Sequence, residues 1–420
     1  MRKKIGCVFV CLLAMFAVLS GCNREVVYQN FPDDGVFRIN TAGTFEFSGA
    51  YRGQIYIDAP RDAVVELVFN NFSLYNPAGS AIHARRSERV DIVLPAGTTN
   101  SVTNRGSAND TVHIQHDLVI TGYGTLNVTA HNSHALRAQD FLTIDGGIVN
   151  VTAYNNALRG RDGVVINGGH LTLTTGGNAI RSTNDAHQFV GIVEMNGGIV
   201  DIVTQNDGIN VQNNFTMNGG TLNITSRDDG IFSLDTVVIN GGEINILDSV
   251  EGIEAQSIDI RGGDVNVFAI NDGLNARYAD EDRLGTVFIR MRGGNVSVSS
   301  LRDSIESDHN VYLEGGTMHL NGVPSGRPAG SLIFMGTEFV SSGNTVRESE
   351  LSTQRIINAS LGSHTAGAEV ELRDANGNVR LSHTAQRAFS GTVAFSSAEI
   401  TTLGTYYIYV NGSLQHTATP

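Results

Sequence analysis

A four-residue pattern recurs along the middle of the chain and grows acidic as it goes. It runs Asn156-Ala157-Leu158-Arg159, Asn178-Ala179-Ile180-Arg181, Asp207-Gly208-Ile209-Asn210, Asp229-Gly230-Ile231-Phe232, Glu251-Gly252-Ile253-Glu254, Asp272-Gly273-Leu274-Asn275 and Asp303-Ser304-Ile305-Glu306. The first position is acidic in five consecutive copies, the fourth adds Asn210, Glu254, Asn275 and Glu306, and Asn206, Asp228 and Asn271 sit just before. If the copies stack, carboxylates about 5 Å apart repel by a few kcal/mol at an effective dielectric near 20. A bound hard cation removes that cost, and Ca²⁺ takes six to eight oxygen ligands from carboxylates, amides, backbone carbonyls and water. Oxygen donors with no nearby cysteine favour Ca²⁺ over zinc or copper. The candidate ligands are Asp207, Asn210, Asp229, Glu251, Glu254, Asp272, Asn275, Asp303 and Glu306. The competing reading is a row of solvated Asp-Gly and Asn-Gly turns. Glu251 and Glu254 count against it, because glutamate is a poor turn former.

The lower copies carry a different stripe. Arg137, Arg159 and Arg181 hold the fourth position in three consecutive copies. Guanidinium forks suit carboxylates, so one reading is a basic track that contacts an acidic sugar chain. The other is salt bridging to acids close in sequence, such as Asp140 and Asp162.

The elements that position these residues are set by a second period. Gly-Gly pairs begin at Gly146, Gly168, Gly197, Gly219, Gly241, Gly262, Gly293 and Gly315, at intervals of 22, 29, 22, 22, 21, 31 and 22 residues. A period near 22 with short insertions marks a solenoid. Alternating apolar runs flank each pair, such as Leu142 and Ile144 before Gly146 and Val149 and Val151 after it. Period two means strand. Residues between them, such as Asn150, Asn223, Asn245 and Asn266, are expected to face solvent. Asn-Gly-Gly turns at Asn167, Asn196, Asn218 and Asn240 suit positive φ and are expected to form hydrogen-bonded amide stacks at the corner. A third short strand follows, as in Gly208–Val211. The expected fold class is all-β: a right-handed parallel β-helix, a solenoid of about 22 residues per coil, with a β-rich C-terminal cap or small domain. Insertions near Asn184–Gln188 and Ala279–Leu284 read as loops.

The ends divide the chain further. Arg2, Lys3 and Lys4 precede an apolar stretch, Ile5–Leu19, that ends in Leu19-Ser20-Gly21-Cys22. This resembles a bacterial lipobox, so residues 1–21 read as a lipoprotein signal peptide and Cys22 as the lipidation site; the alternatives are an ordinary cleaved signal or a lone transmembrane helix, for which the apolar run is short. That places the protein outside the cytoplasm, lipid-anchored to the membrane or cell surface. Residues 22–35 read as a tether, 36–322 as the β-helix, Gly322–Gly330 as a linker and 331–420 as the cap or small domain. Gly79–Ala84 looks like an early copy of the repeated corner, and Asp374–Asn378 like a hairpin turn.

All three cysteines lie before residue 23, which excludes a disulfide or thiolate metal site in the mature chain. Removing Arg2, Lys3 and Lys4 leaves 28 − 3 = 25 basic residues against 42 acidic ones, a net charge of −17. Nucleic acid is therefore not expected as a partner. No lysine follows Lys4 and there is no tryptophan.

Ala42–Gly49, Gly53–Ala59, Ser80–His83 and Leu94–Asn100, together with the Asp-Gly-Ile-Asn and Glu-Gly-Ile-Glu corners, Phe395-Ser396-Ser397 and Gly404-Thr405-Tyr406, resemble the calcium-binding β-helix carbohydrate-binding family. That family was described in a cellulolytic bacterium and is similar in fold to pectate lyases. The resemblance covers roughly residues 36–412. It implies a secreted, surface-attached protein that binds plant cell-wall polysaccharide, cellulose or polygalacturonate, with bound Ca²⁺. By position it carries the ligand role to Asp207, Asp229, Glu251, Glu254, Asp272, Asn275 and Glu306. Asn156 and Asn178 depart from the acidic pattern, which confines the expected metal cluster to the later coils. The absence of tryptophan leaves flat stacking on crystalline cellulose without its usual platform. Binding is the expected function, without catalysis. A polysaccharide lyase and a structural adhesin with stabilising calcium are the alternatives. A lyase needs a base, which arginine is ill suited to supply.

Overall fold

The computed structural model describes residue 32 and residues 34–106, 109–278, 286–326, 330–347 and 349–420. The expected signal segment, Cys22, most of the tether and the Ala279–Leu284 insertion lie outside the described residues.

Every regular element among the described residues is a strand. The alternation seen in the sequence is met: Leu142, Ile144, Val149, Val151 and Leu158 from one coil are all fully or almost fully buried. Each such side chain stabilises the fold by about 1.5–3 kcal/mol relative to exposure. The apolar rows of successive coils merge into one core.

Three stacks of parallel strands surround that core. One, ahead of the glycine corners, runs from Gly43–Arg52 to Leu332–Phe334. A second, after those corners, runs from the later half of Gly43–Arg52 to Glu338–Gly343. The third, built mostly of short strands, runs from Val36–Ile39 to Thr317–Gly326. Gly79–Ala84 does lead into this third stack, since Ile82 pairs with Val112. The insertion around Asn184–Gln188 loops out between Ile180–Ser182 and Ile192–Met195.

The glycine corners need both glycines for different reasons. The second has positive φ in every copy, for example +89° at Gly169 and Gly220. A Cβ on Gly169 would stand 2.7 Å from the Gly147 carbonyl oxygen of the coil below. A Cβ on the first glycine, Gly197, would stand 2.9 Å from Asn167 O. Beside them the asparagine side chains bond to the coil below: Asn167 donates to Asp145 at 2.7 Å, Asn196 to Asn167 at 2.8 Å, and Asn218 and Asn240 each to the preceding asparagine at 2.7 Å. The amide stack is present as expected. Asn150, Asn223, Asn245 and Asn266 are half-buried rather than free in solvent. Asn245 donates to Asn223 and Asn266 to Asn245, each at 3.0 Å, and Asn150 donates to Asn127 at 2.9 Å.

The segment read as a linker begins as a strand, Thr317–Gly326, and parallel pairing continues to Glu338–Gly343. Proline and glycine there do not interrupt the sheet, because its neighbours have already fixed the path. Phe389–Ser396 then pairs antiparallel with both Glu338–Gly343 and Ile356–His364, which ends the parallel stack. Val379–Thr384, Glu369–Arg373, Tyr406–Val410 and Ser413–Ala418 form a separate antiparallel sheet, whose Val370, Leu372 and Ile408 share one core with Val340, Ile357 and Phe395 at the end of the stack. Asp374–Asn378 is the hairpin turn in it, closed by Asp374 N–H to Asn378 O at 3.0 Å. This sheet meets the solenoid where the His383 ring stands 5.0 Å from that of His319.

Candidate functional site

The third stack brings the four-residue pattern into one stripe. Arg137, Arg159, Arg181, Asn210, Phe232, Glu254, Asn275 and Glu306 are paired in register, each with the next. His113 extends the stripe below Arg137, and His83 lies below His113. One face of the protein therefore passes from cationic to anionic along its length.

The first position of the pattern has a structural task that the sequence did not reveal. At most steps its side chain accepts the backbone N–H of the first-position residue in the next coil. Asn156 N–H donates to His134 Nδ1 at 3.2 Å, Asn178 N–H to Asn156 Oδ1 at 3.0 Å and Asp207 N–H to Asn178 Oδ1 at 3.3 Å. Asp229 N–H donates to Asp207 Oδ1 at 3.3 Å, and Asp303 N–H to Asp272 Oδ1 at 3.1 Å. Histidine, asparagine and aspartate all meet that need, and aspartate alone adds charge.

Among the described residues two groups of three carboxylates converge: Asp207, Asp228 and Asp229, then Asp272, Asp303 and Glu306. Within each group the ligand atoms lie within 4.8 Å of one another. Oxygens bound to one Ca²⁺ at 2.3–2.6 Å lie at most about 5 Å apart, so both groups fit a single ion. Asp228 was noted beside the pattern but left out of the expected ligands. Burial, followed by Asp207 and Glu251, pushes the Asp229 carboxyl up to about 8. Burial, followed by Glu306, Glu251 and Asp303, pushes Asp272 up to about 6 against a lowering backbone bond from Asp303. Burial raises Asp207 as well, opposed by the Asn210 side chain, which donates to its Oδ2 at 2.7 Å.

Glu251, Glu254 and Asn275 belong to neither group. Arg277 donates through Nε to Glu254 at 2.8 Å, and Asn275 and Asn271 donate to Glu251 at 2.9 and 3.1 Å. Burial and a hydrogen bond shared with Glu251 push Glu254 up to about 9. The two glutamates thus hold one proton and one negative charge between them, which Arg277 balances.

At the cationic end the acid partners differ from those expected. Arg137 Nη1 pairs with Asp110 at 3.2 Å, not with Asp140, and His113 Nδ1 lies 3.4 Å from the same carboxylate. Asp140 instead meets His116 at 3.1 Å, and Asp162 meets Asn184 at 2.6 Å. Arg159 and Arg181 have no acid partner among the described residues. Burial, then Arg137 and Arg181, lowers the Arg159 guanidinium. Burial foremost, then the nearby arginines against Asp110, brings His134 down to about 4, so its ring is neutral near pH 7. His134-Ala135-Leu136-Arg137 copies Asn156-Ala157-Leu158-Arg159 with histidine for asparagine. That likeness was the available signal for His134.

A family model described as carbohydrate-binding domain-containing protein matches residues 33–229 and again 219–397. A carbohydrate-binding domain-containing protein of Acetivibrio thermocellus is 27% identical over 127 residues, which is 28% of this chain and 44% of that protein. The chain thus spans less than half the length of this curated relative. A solved structure described as a polysaccharide lyase-like protein from C. thermocellum, a gadolinium derivative, is similar at 24% identity and a TM-score of 0.42. The match covers 56% of this chain and 86% of that one.

Proposed function

The chain belongs to the carbohydrate-binding domain-containing family, and from that premise we propose that it is a calcium-dependent polysaccharide-binding protein, held at the cell surface by a lipid on Cys22. Its scaffold is a right-handed β-helix of about 22 residues per coil. The observation that carries the calcium reading is the pair of three-carboxylate groups, each small enough for one ion. Asp207, Asp228 and Asp229 would hold one ion, and Asp272, Asp303 and Glu306 another. Three carboxylates leave several of the six to eight coordination positions of Ca²⁺ open. Hydroxyl or carboxylate oxygens of a plant cell-wall or other acidic polysaccharide, such as polygalacturonate, are suited to fill them. Arg159 and Arg181 lie on the same stripe and would contact the same chain, while Arg137 is already paired with Asp110.

Binding is favoured over lyase chemistry by the state of the imidazole beside the arginines. His134 is 8% exposed, and its Nδ1 already accepts the Asn156 N–H. It is poorly placed to take a proton from a sugar ring.

Retention of the full-length protein on a panel of insoluble and acidic polysaccharides, with Ca²⁺ and with chelator, tests the reading. Calcium-dependent retention supports it. If no polysaccharide is retained while calcium still raises the melting temperature, the carbohydrate function is refuted and a structural role for the metal remains.

A further inference from the structure

The cationic end holds more hydrogen-bond donors than acceptors, and the excess converges on one place. The Asn156 backbone N–H donates to His134 Nδ1, so the ring proton of neutral His134 sits on Nε2. Arg159 Nη1 lies 3.0 Å from that nitrogen. Arginine has no acceptor, so two N–H groups face each other there. Arg159 Nε, Arg181 Nε and Asn156 Nδ2 are all buried without a hydrogen-bond partner, and Asn156 is only 1% exposed. Arg159 and Arg181 stand in register on adjacent coils, about 4.8 Å apart. Buried donors are normally satisfied, and a set of orphans at one point calls for an explanation.

We propose that His134, Arg159 and Arg181 form an oxyanion site, which holds the carboxylate or sulfate group of an acidic polysaccharide without calcium. An oxyanion accepts from the His134 Nε2–H and the Arg159 fork together, and so resolves their conflict. Charge-assisted bonds of this kind are short and strong, and a guanidinium matches a carboxylate or sulfate edge with two parallel bonds. Arg137 lies outside the site, because Asp110 already neutralises it. The inference rests on the carbohydrate reading only for the source of the anion. It divides the stripe into two chemistries, direct anion contact at the arginines and metal-bridged contact at the carboxylates.

The test is affinity electrophoresis of the full-length protein in chelator through gels containing polygalacturonate, methyl-esterified polygalacturonate or dextran sulfate. A thermal-shift titration with inorganic sulfate accompanies it. The variants are His134→Asn, Arg159→Gln, Arg181→Gln and Arg137→Gln, each checked for native circular dichroism. His134→Asn keeps an acceptor for the Asn156 N–H, as asparagine does in the next two coils, and removes only the Nε2–H donor. Arg159→Gln and Arg181→Gln should weaken retention about tenfold or more, and His134→Asn by roughly three- to tenfold. Arg137→Gln should change it by less than about twofold, and the esterified polymer should not be retained. Retention on polygalacturonate alone assigns a carboxylate ligand, and on dextran sulfate alone a sulfate ester. Equal losses for Arg137→Gln and Arg159→Gln overturn the site. So does calcium-dependent retention that Arg159→Gln leaves intact, an outcome that preserves the carbohydrate reading. Arg159-dependent stabilisation by inorganic sulfate with no polysaccharide retained keeps the site and refutes the carbohydrate reading.

Discussion

Replacing Asp229 with asparagine should stabilise the metal-free protein and blunt its response to calcium. The side chain keeps its shape and loses its charge. Asp229 shares a site with Asp207 and Asp228, their ligand atoms within 4.8 Å of one another. Two unit charges at that distance repel by about 3 kcal/mol at an effective dielectric near 20. The shift of the carboxyl to about 8 from its ordinary value of 3.8 leads to a similar size. At pH 7 the cost is about 4 kcal/mol, at 1.36 kcal/mol per pH unit between 3.8 and 7. The sign follows from the raised folded-state value. The unfolded chain releases this proton near pH 4 and the metal-free folded chain only near pH 8, so stability is lost as pH rises between them. Urea denaturation in chelator should show wild type weakening from pH 5 to pH 8. Asp229→Asn should be flatter over that range and about 2–4 kcal/mol more stable at pH 8. Calcium should restore wild type at pH 8 and add less to the variant, whose ligand is weaker. A variant that is less stable in chelator at pH 8, yet gains the full calcium increment, would refute the argument that these carboxylates are strained for want of a cation.

Further expectations follow from single contacts. Arg277→Gln removes the cation that balances Glu251 and Glu254. It should lower stability in chelator by roughly 1–2 kcal/mol by urea denaturation, since buried Glu254 loses its cation while half-exposed Arg277 is partly screened by solvent. Gly220→Ala places a Cβ 2.6 Å from the Gly198 carbonyl oxygen at φ +89°, and should cost about 2 kcal/mol or more in the same assay. His383, brought down to about 4 by burial and then by His319, should make the protein acid-sensitive. Its contribution is intact above about pH 6.5 and lost as pH falls toward 4, about 3 kcal/mol in all. His383→Gln should flatten that part of the pH–stability curve.

The scaffold was legible because its period is enforced by sterics at one corner. No residue but glycine fits Gly169 or Gly220, so the Gly-Gly spacing survives every insertion and exposes the coil length. The acidic ladder was legible for a related reason: one residue per coil at a fixed place becomes a stripe once the coils stack. Pairing across the stripe was not legible. Arg137 reaches down to Asp110, 27 residues earlier, past the nearer-in-sequence Asp140. That choice depends on rotamers and on coil offsets that insertions change. The double duty of the first position was hidden by its mixed composition. His134, Asn156, Asn178 and Asp207 share no charge, only the ability to accept a hydrogen bond. The balance of Glu254 by Arg277 depends on a contact between coils, 23 residues apart in sequence. The pattern alone therefore gave no sign of Arg277 beside these glutamates.

The most direct test of the account is a crystal structure of the protein grown with Ca²⁺ and an acidic oligosaccharide. The account predicts one ion among Asp207, Asp228 and Asp229 and another among Asp272, Asp303 and Glu306. Sugar oxygens should complete at least one coordination shell, and an anionic group should lie against Arg159 and His134. Ions absent from both carboxylate groups, or an oligosaccharide bound on a face away from this stripe, would contradict it.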